Sequence, residues 1–358
     1  MALPFFDSGA RKKRDQMLAV DLGGRITKAV HVQRRGDGFV LCRYALLDTP
    51  IFERAIPVDL LAEHLKAVNE AMGGKCKWLV LTMGVNDVLL RHVELPPMPT
   101  EDIRMVLKNN SRVYLQQELS GYVFDFQLAS PPRQPAAKPT TKGPAGQQKQ
   151  KVLIGGAKKQ LVDDLALAAR NVGLVPDHII PGVIGPVNAF EKAAPEVFAK
   201  ESVALVDLGF RSSSISILQE GELILNRVVG IGGDRLTAGL AESMNISYAE
   251  AEGIKIGMPT EVQAVLESLL TPLGRELRAS LDFFEHQQDR PVSQVYLSGG
   301  PSRSDFVVEV LRRELVAECR TWNPVSFLKL ALSSEQSAEI EHIASQLTVA
   351  IGAALTAL

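Results

Sequence analysis

Apolar positions along this chain form two kinds of pattern. Short uninterrupted runs are typical of buried strands, and runs with a spacing of three and four residues are typical of helices. One strand pattern occurs twice, as MLAVDLGGRITKAVHV at residues 17–32 and as VALVDLGFRSSSISIL at residues 203–218. Each copy has an apolar run, then Asp-Leu-Gly, one further residue, an Arg and a second β-rich run. The two aspartates are 186 residues apart. The sequence therefore predicts two similar halves that face each other.

The first half begins with strands over residues 17–49, and a Gly-Asp-Gly turn at 36–38 joins two of them in a hairpin. Helical spacing predicts a helix over 58–72, which a Gly-Gly pair ends. A short buried strand, KWLVLTMG, follows at 77–84. Thr100 is predicted to cap a second helix, because two acidic residues follow it and suit the positive end of a helix.

Residues 130–150 differ from the rest of the chain. They contain five prolines, four basic residues and no acid, so they cannot build a core and are predicted to be a flexible excursion. A strand at 152–157 and a helix over 158–172 follow them. The excursion therefore interrupts one small domain and does not separate two. Residues 179–194 are predicted as a helix that leads into the second half.

The second half repeats the alternation of strands and helices. A turn at 220–221 joins a hairpin, and a Gly-rich turn at 230–234 enters a helix. Residues 247–250 have the pattern of a capping box, which begins a further helix that ends at Gly257. Residues 271–287 are predicted as a strongly amphipathic helix.

The two ends of the sequence raise the question of membrane contact. Residues 343–358 form an apolar run of about 16 residues with three polar residues inside it, and we interpret this run as a buried closing helix and not as a membrane anchor. The N-terminal segment contains four basic residues at 11–14 but lacks the apolar core of a signal peptide. We interpret residues 1–16 as a flexible basic tail, with contact to anionic lipid as the alternative. The sequence predicts no transmembrane segment.

Composition excludes several classes of protein. A length of 358 residues allows two or more domains, and 39 basic against 41 acidic residues give a net charge of −2. This balance, without a basic stripe, argues against a nucleic-acid partner. The three cysteines are scattered and odd in number, so a reducing compartment fits best. The six histidines have no metal-ligand spacing.

Four glycine-containing turns are the candidates for chemistry, and each follows a predicted strand. They lie at residues 21–24, 207–210, 230–234 and 298–301. Glycine lets backbone N–H groups close around an anion, and a helix N-terminus adds a favourable dipole at the last two turns. Asp21 and Asp207 are predicted to hold Mg²⁺ through its waters, since Mg²⁺ keeps most of its hydration shell. Lys28 is placed to reach a β- or γ-phosphate.

One such turn alone is weak evidence for phosphate binding, but four in this order, with the first duplicated, are far more specific. The sequence GxxxxGK[ST] does not occur, and no GxGxxG follows the first strand, so P-loop and Rossmann sites are disfavoured. Hydrolysis also needs a positioned water or acceptor. No base for it is obvious; Asp207 and Asn188 are the candidate catalytic residues.

These turns resemble those of the actin-like ATPase superfamily, which includes actin, the sugar kinases, the heat-shock chaperones and the division protein FtsA. The resemblance implies an α/β fold of two ribonuclease-H-like halves that hold ATP and Mg²⁺ between them. It also implies that the two Asp-Gly turns hold phosphates, that a helix with Glu252 and Lys255 lies near ribose and base, and that the last Gly-Gly turn flanks the adenosine. The implied nucleotide-binding residues are Asp21, Gly23, Gly24, Lys28, Asp207, Gly209, Gly232, Gly233, Thr237, Glu252, Lys255, Gly299 and Gly300.

Within the superfamily the chain is most similar to the PilM family of type IV pilus assembly, from about residue 15 onwards. The most specific segment is RVVGIGGDRLT at 227–237. The resemblance implies subdomain 1A over 17–84 plus 178–200, an inserted FtsA-like subdomain 1C over 85–177, and a second half with subdomains 2A and 2B over 201–358.

The resemblance also implies a function. PilM proteins take a short N-terminal cytoplasmic peptide of PilN, an inner-membrane protein, in the groove between subdomains 1A and 1C. We therefore expect a cytoplasmic adaptor that is peripheral at the inner membrane through PilN-like and other platform proteins, is gated by ATP, and has weak or no ATPase activity. The alternatives are a sugar or carboxylate kinase of the same superfamily and an FtsA-like membrane-associated division filament.

The chain departs from the PilM pattern at both phosphate turns. Gly24, Arg25 and Ile26 stand where PilM proteins usually have small hydroxyl residues after the first Asp-x-Gly. The second turn keeps serines at 212–214, but Phe210 and Arg211 precede them.

Overall fold

The computed structural model describes residues 14–51, 56–128, 149–257 and 260–358. Most of the predicted basic tail and nearly all of the predicted Pro-rich excursion lie outside these residues. The strands are β1 (Gln16–Leu22), β2 (Ile26–Arg35), β3 (Gly38–Asp48), β4 (Trp78–Met83), β5 (Val88–Leu95), β6 (Tyr122–Leu128), β7 (Gln150–Lys158), β8 (Val175–Pro181), β9 (Ser202–Leu208), β10 (Ser213–Gln219), β11 (Glu222–Val229), β12 (Gln294–Gly299), β13 (Cys319–Thr321) and β14 (Leu328–Leu330).

The helices alternate with these strands. They are α1 (Val58–Ala71), α2 (Thr100–Leu115), α3 (Lys159–Asn171), α4 (Ile184–Ala193), α5 (Pro195–Lys200), α6 (Gly233–Met244), α7 (Tyr248–Gly257), α8 (Thr260–Gln288), α9 (Asp305–Leu315), α10 (Ser334–Ile343) and α11 (Thr348–Ala354). Two short 3₁₀ turns, Pro301–Arg303 and Ala344–Leu347, precede α9 and α11. None of the described helices is long and apolar enough to cross a membrane.

Two large sheets have the same local plan. The first has the order β14-β3-β2-β1-β4-β8 and the second the order β11-β10-β9-β12-β13. In each sheet the strand that ends in Asp-Leu pairs antiparallel with the next strand and parallel with a strand on its other side. The predicted pair of similar α/β halves is therefore confirmed. The strand pattern that occurs twice in the sequence contains a central strand of each sheet.

Both central strands are buried on two faces, which explains their continuous apolar runs. In β1, Leu18 and Val20 face one apolar cluster with α1 and α3, while Met17 and Ala19 face another cluster with α11. In β9, alternate residues likewise face α8 and α9 on one side and α4 on the other. A strand between two helical layers must place apolar side chains on both faces, because consecutive side chains point in opposite directions.

A third, three-stranded sheet of order β5-β7-β6 lies beside the first half. Helix α2 packs on it through Ile103, Leu107 and Leu115. Helix α3, in contrast, packs with α1 under the first sheet, and β8 pairs with β4. The packing thus groups α2 and the three strands as one unit, whereas α3 and β8 belong to the first sheet although the predicted insertion, 85–177, includes α3 and the start of β8.

The chain returns to the first half after β13. Strand β14 pairs with β3, and the buried helix α11 packs against β1, β2 and α4. The prediction that all of residues 201–358 belong to the second half is therefore corrected for the segment from β14 onwards. That segment has a sheet edge and an apolar face of the first half to cover, and no local pattern in the sequence reveals which sheet a three-residue strand will join.

Other local predictions have clear outcomes. The hairpin turn at 36–38, the helix over 58–72 and the capping box are confirmed, with the Ser247 backbone N–H and hydroxyl both donating to the Glu250 carboxylate. The helix predicted over 179–194 is wrong in its first part, because β8 occupies that stretch through Pro181. Thr100 is the first residue of α2, and Pro99 takes the cap position.

Candidate functional site

A cleft of about 720 Å³ lies between the two halves, and loops from both halves line it. The loops after β1, β9 and β12 meet there, together with the first turn of α6 and the C-terminal part of α7. Its size is in the usual range for a small-molecule site. Basic and acidic groups both line it, and these are Arg25, Lys28, Arg211, Lys255 and Arg303 with Asp21, Asp87, Asp207 and Glu252.

The first Asp-Gly turn is built by the hairpin of β1 and β2. Its register places Lys28 opposite Asp21, and the Lys28 ammonium donates to the Asp21 carboxylate at 3.1 Å. Thr82, on the parallel strand β4, donates to the other carboxylate oxygen at 2.9 Å. A Cβ at Gly23 would lie 2.3 Å from the Ile26 carbonyl oxygen and 2.6 Å from the Lys28 ammonium nitrogen. Glycine is thus required here by a close approach, which leaves the Asp21 carboxylate and Lys28 side by side at the cleft.

The second Asp-Gly turn repeats this geometry with different neighbours. Asp207 faces Ser214 across the hairpin of β9 and β10, and Ser298 on β12 donates to its carboxylate at 2.9 Å. The Gly209 N–H donates to the Ser212 carbonyl, and a Cβ at Gly209 would lie 2.5 Å from that oxygen. In both copies of the repeated pattern, the first strand therefore ends in a tight turn. A hydroxyl group from the adjacent parallel strand donates to the carboxylate at that turn.

The charges at these two turns influence each other. Burial raises the pKa of Asp207, and the nearby Lys28 ammonium and the Ser298 hydroxyl offset only part of this rise. Burial alone lowers the pKa of Lys28, but its attraction to Asp21 and Asp207 outweighs this effect and raises that pKa. Lys28 therefore stays protonated between two acidic groups, one from each half. Such a place suits an anionic ligand that arrives with a cation.

The Gly-rich turn before α6 rests on the second Asp-Gly turn. The Gly233 N–H donates to the Gly209 carbonyl at 2.9 Å, and a Cβ at Gly232 would lie 2.4 Å from the Phe210 carbonyl oxygen. Gly233 therefore lines the cleft, while Gly232 lies behind it and allows the close approach. The first N–H groups of α6 are bonded to the second Asp-Gly turn and to Gly232, so α6 offers the cleft the favourable field of its N-terminal dipole and not free donors.

Helix α7 contributes a polar cluster at one side of the cleft. Lys255 donates to Glu252 and to Thr237, each at 2.7 Å, and Thr237 donates to Glu252 at 2.5 Å. Burial raises the pKa of Glu252, but the bonds from Lys255 and Thr237 and the charges of Lys255 and Arg25 outweigh it and lower that pKa. Glu252 is therefore an anion at neutral pH, held in place on α7 by its neighbours.

The last glycine turn closes the remaining side. Gly299 has a φ of +91°, and a Cβ there would lie 2.2 Å from the Leu208 carbonyl oxygen, so only glycine fits between β12 and β9. Gly300 follows and lines the cleft together with Arg303. The turn thus brings backbone and one exposed guanidinium to the same opening.

Most residues that the sequence predicted for nucleotide binding come together in this cleft. Those that line it are Asp21, Gly23, Gly24, Lys28, Asp207, Gly209, Gly233, Glu252, Lys255, Gly299 and Gly300. Gly232 and the fully buried Thr237 support it from behind. Asn188 is different, because its amide donates to the Gly352 carbonyl and the Thr356 hydroxyl and joins α4 to α11 away from the cleft. The structure gives Asn188 a place in the packing of two helices and no place among the residues that line the cleft.

Several cleft residues were missed by sequence reasoning. Thr82 contacts Asp21 only because β4 pairs with β1 in that register. Asn86 follows β4 and donates to the Ser212 hydroxyl of the other half at 3.3 Å. Gln346 reaches the cleft from the segment that returns to the first half. Each of these placements depends on pairing between distant segments, for which the sequence has no local signal.

A magnesium ion fits this site only with help from its ligand and its waters. In the described part of the chain, no three His, Cys, Asp or Glu side chains are grouped closely enough to bind a metal directly. Two carboxylates, one from each half, remain available at the cleft. This donor set suits a cation that keeps most of its waters and arrives bound to phosphates.

Comparisons with known proteins agree with this architecture. A solved PilM–PilN type IV pilus biogenesis complex contains a chain with a TM-score of 0.81, 23% identity, and coverage of 96% of this chain and 98% of that chain. The ethanolamine utilization protein EutJ from Carboxydothermus hydrogenoformans has a TM-score of 0.56 and 14% identity, with coverage of 96% and 91%. MreB5 of Spiroplasma citri bound to ADP has a TM-score of 0.50 and 11% identity, with coverage of 95% of both chains. These likenesses confirm the predicted actin-like ATPase fold.

Sequence comparison is more specific. The cell division protein FtsA of Bacillus subtilis strain 168 is 29% identical over 103 residues, which span 29% of this chain and only 22% of FtsA. A family model described as type IV pilus assembly protein PilM matches residues 19–358. This match favours pilus assembly over the kinase and the division filament. The chain, with its two facing halves and its inserted sheet, belongs to the PilM family of type IV pilus assembly proteins.

Proposed function

We propose that the protein is a cytoplasmic adaptor of a type IV pilus assembly platform. In this proposal its inserted sheet and first half hold the N-terminal cytoplasmic peptide of a PilN-like inner-membrane protein, and Mg²⁺-ATP in the cleft controls the geometry of that groove. The single observation that supports it most is the PilM family match over residues 19–358. Association with the inner membrane would follow from the partner peptide.

Nucleotide binding is supported by the chemistry of the cleft. Gly23 and Gly209 bring backbone close to the two carboxylates, and Lys28 supplies a protonated ammonium between them. Mg²⁺ would neutralise the phosphates, and Asp21 and Asp207 would hold its waters. The neighbours EutJ and MreB5 have the same fold, and MreB5 was solved with ADP. We propose that the ligand acts mainly as a gate, with weak turnover or none.

Coupling between cleft and groove is supported by contacts of the inserted sheet with the second half. His92 on β5 lies 2.7 Å from the Leu223 carbonyl oxygen on β11. Asn86, which leads into β5, contacts Ser212 at the second Asp-Gly turn. A rearrangement of the second half on nucleotide binding would therefore move β5 directly. A ligand can shift such an equilibrium only through different affinities for the two states.

Thermal unfolding with and without Mg²⁺-ATP tests the nucleotide part. We expect ATP at about 100 times its Kd to stabilise the wild type by roughly 2.7 kcal/mol. Asp207→Ala should lose this stabilisation, while Asp37→Ala, at an exposed turn, should keep it. An absence of any shift in the wild type would contradict nucleotide gating and leave the adaptor role to be judged by peptide binding.

Calorimetric titration with a synthetic N-terminal cytoplasmic peptide of the PilN-like partner tests the adaptor part. We expect saturable binding, with an affinity that Mg²⁺-ATP changes by about 5- to 150-fold. By reciprocity the peptide should change the ATP affinity by the same factor. His92→Ala should leave both ligands bound but reduce this factor. Failure of the peptide to bind under any condition would contradict the adaptor proposal.

A further inference from the structure

Arg25 connects the two halves across the cleft. It lies at the tip of the β1–β2 hairpin in the first half. Its Nη1 is 2.7 Å from Oε1 of Glu252, on α7 of the second half. Its guanidinium carbon is also 5.8 Å from the centre of the Phe210 ring, which follows β9. A residue of the first phosphate turn is thus held by two groups of the opposite half.

Both oxygens of the Glu252 carboxylate already have a partner. Thr237 and Lys255 both donate to Oε2, at 2.5 and 2.7 Å, which leaves Oε1 to Arg25. The Arg25 Nη1 is shielded from solvent, and its contact with Glu252 is an ion pair by distance that lacks the geometry of a hydrogen bond. A ligand that needs Oε1, or the space beside it, must therefore displace the guanidinium.

Gly24, the residue before Arg25, also lies close to the opposite half. A Cβ at Gly24 would lie 3.3 Å from Cγ of Arg211 and 3.4 Å from a ring carbon of Phe210. The two phosphate turns therefore lie so close that one added carbon at Gly24 would touch the opposite turn. The four residues at 24–25 and 210–211 are among the five, with Ile26, in which the chain departs from the PilM pattern. Their departures are complementary across the cleft.

We propose that Arg25 determines the ligand affinity of the cleft, because its bridge to Glu252 holds the two halves closed without nucleotide and must break when nucleotide enters. The ligand part of this inference rests on the proposed nucleotide binding, whereas the closure part does not. Closure without ligand would let the adaptor keep its partner groove formed when nucleotide is scarce. The bridge would then weaken nucleotide binding by competition.

The bridge is of moderate strength. The Arg25 side chain is 40% exposed and that of Glu252 14% exposed. An ion pair of this exposure together with a contact over an aromatic ring corresponds to about a three- to tenfold change in an equilibrium constant. Added salt should weaken the bridge, because dissolved ions screen the exposed part of the ion pair.

Distance measurement between two spin labels tests closure in the absence of nucleotide. We would place the labels at Glu63→Cys on α1 and Glu242→Cys on α6, two exposed helix positions on opposite halves, in a Cys42→Ser background. Cys76 and Cys319 are buried and are left in place. We expect longer and broader distances for Arg25→Ser than for the unchanged residue. Arg25→Glu should give the longest, because it repels Glu252.

Arg290→Ser is the matched control, since it breaks a 2.6 Å ion pair with Glu220 inside the second half. It should leave the distances unchanged. Identical distance distributions for the unchanged protein, Arg25→Ser and Arg25→Glu would overturn the closure role.

Titration of the same proteins with a fluorescent ATP analogue and Mg²⁺ tests the effect on affinity. Arg25→Ser should bind about three- to tenfold more tightly than the wild type. Equal or weaker binding by Arg25→Ser would overturn the competition. If the distances change as expected but no protein binds the analogue, the nucleotide proposal fails while the closure role of Arg25 stands. If the wild type binds the analogue and the distances do not change, the closure role of Arg25 fails while the nucleotide proposal stands.

Discussion

Asp21 and Asp207 occupy the same position in the two copies of the repeated pattern but have different surroundings. Asp21 faces Lys28 across its hairpin, whereas Asp207 faces Ser214. The sequence predicted both carboxylates at the site, because a strand that ends in Asp-Leu-Gly places them there. It could not predict that burial raises the pKa of Asp207, since burial depends on the folded surroundings, nor that Ser298, 91 residues later, donates to its carboxylate.

The raised pKa of Asp207 has a testable cost in stability. An acid whose pKa is higher in the folded state contributes stability at low pH and loses it as the pH rises through the folded pKa. Asp207→Asn should therefore raise the Tm of the nucleotide-free protein at neutral pH, because the amide leaves no charge to bury. The gain should disappear near pH 3.8, the ordinary pKa of aspartate. Thermal unfolding from pH 4 to 8 measures it.

Asp37→Asn is the control for this substitution, because Asp37 is exposed in the β2–β3 turn. It should show no pH-dependent gain. A lower Tm for Asp207→Asn at neutral pH would mean that Lys28 and Ser298 more than offset the burial of the charge, contrary to the direction given above.

At the scale of elements, α4 and α11 cross at a very close approach of two glycines. A Cβ at Gly352 would lie 1.7 Å from the Gly185 carbonyl oxygen, and backbone cannot move aside as a side chain can. Gly352→Ala should therefore destabilise the protein by about 3 kcal/mol through overpacking. Urea unfolding followed by circular dichroism measures the change.

Gly253→Ala is the matched comparison, since it makes the same change in a helix, α7. A Cβ at Gly253 would meet nothing within 4 Å. It should stabilise the protein by about 0.5–1 kcal/mol, because alanine is the better helix former. Equal effects of the two substitutions would contradict the close approach of α4 and α11.

Elements with a strong local pattern were predictable, and those set by long-range pairing were not. The Gly-Asp-Gly turn between β2 and β3 and the helical spacing in α1 depend on neighbouring residues alone. The run at β8 was mistaken for the start of a helix, because a short apolar segment buried on both faces has no period. Strand β14 has three residues, and its place beside β3 depends on a surface that the rest of the first half creates.

At the scale of the molecule, the first half depends on residues from both ends of the described chain. Residues 323–358 supply β14, α10 and α11, and the apolar cluster around Ile351 covers one face of β1. A protein truncated after residue 322 should therefore lose protection against hydrogen exchange in β1 and β2, while β9 and β12 stay protected. Mass spectrometry of exchanged peptides measures this.

A synthetic peptide of residues 323–358 offers the complementary test. Added to the truncated protein, it should restore protection in β1 and β2. Retained protection without the peptide would contradict a structural need for the returning segment.

The returning segment also determines the order in which the two halves can complete their folding. The strands and helices of residues 202–321 leave the ribosome as a continuous block that contains its own core, so the second half can fold while synthesis continues. The first half, although synthesised earlier, lacks β14 and α11 until residues 328–354 have emerged. During translation its apolar face around Met17 and Val30 stays uncovered. The earlier half is thus completed last, and it needs protection from aggregation for the full time of synthesis.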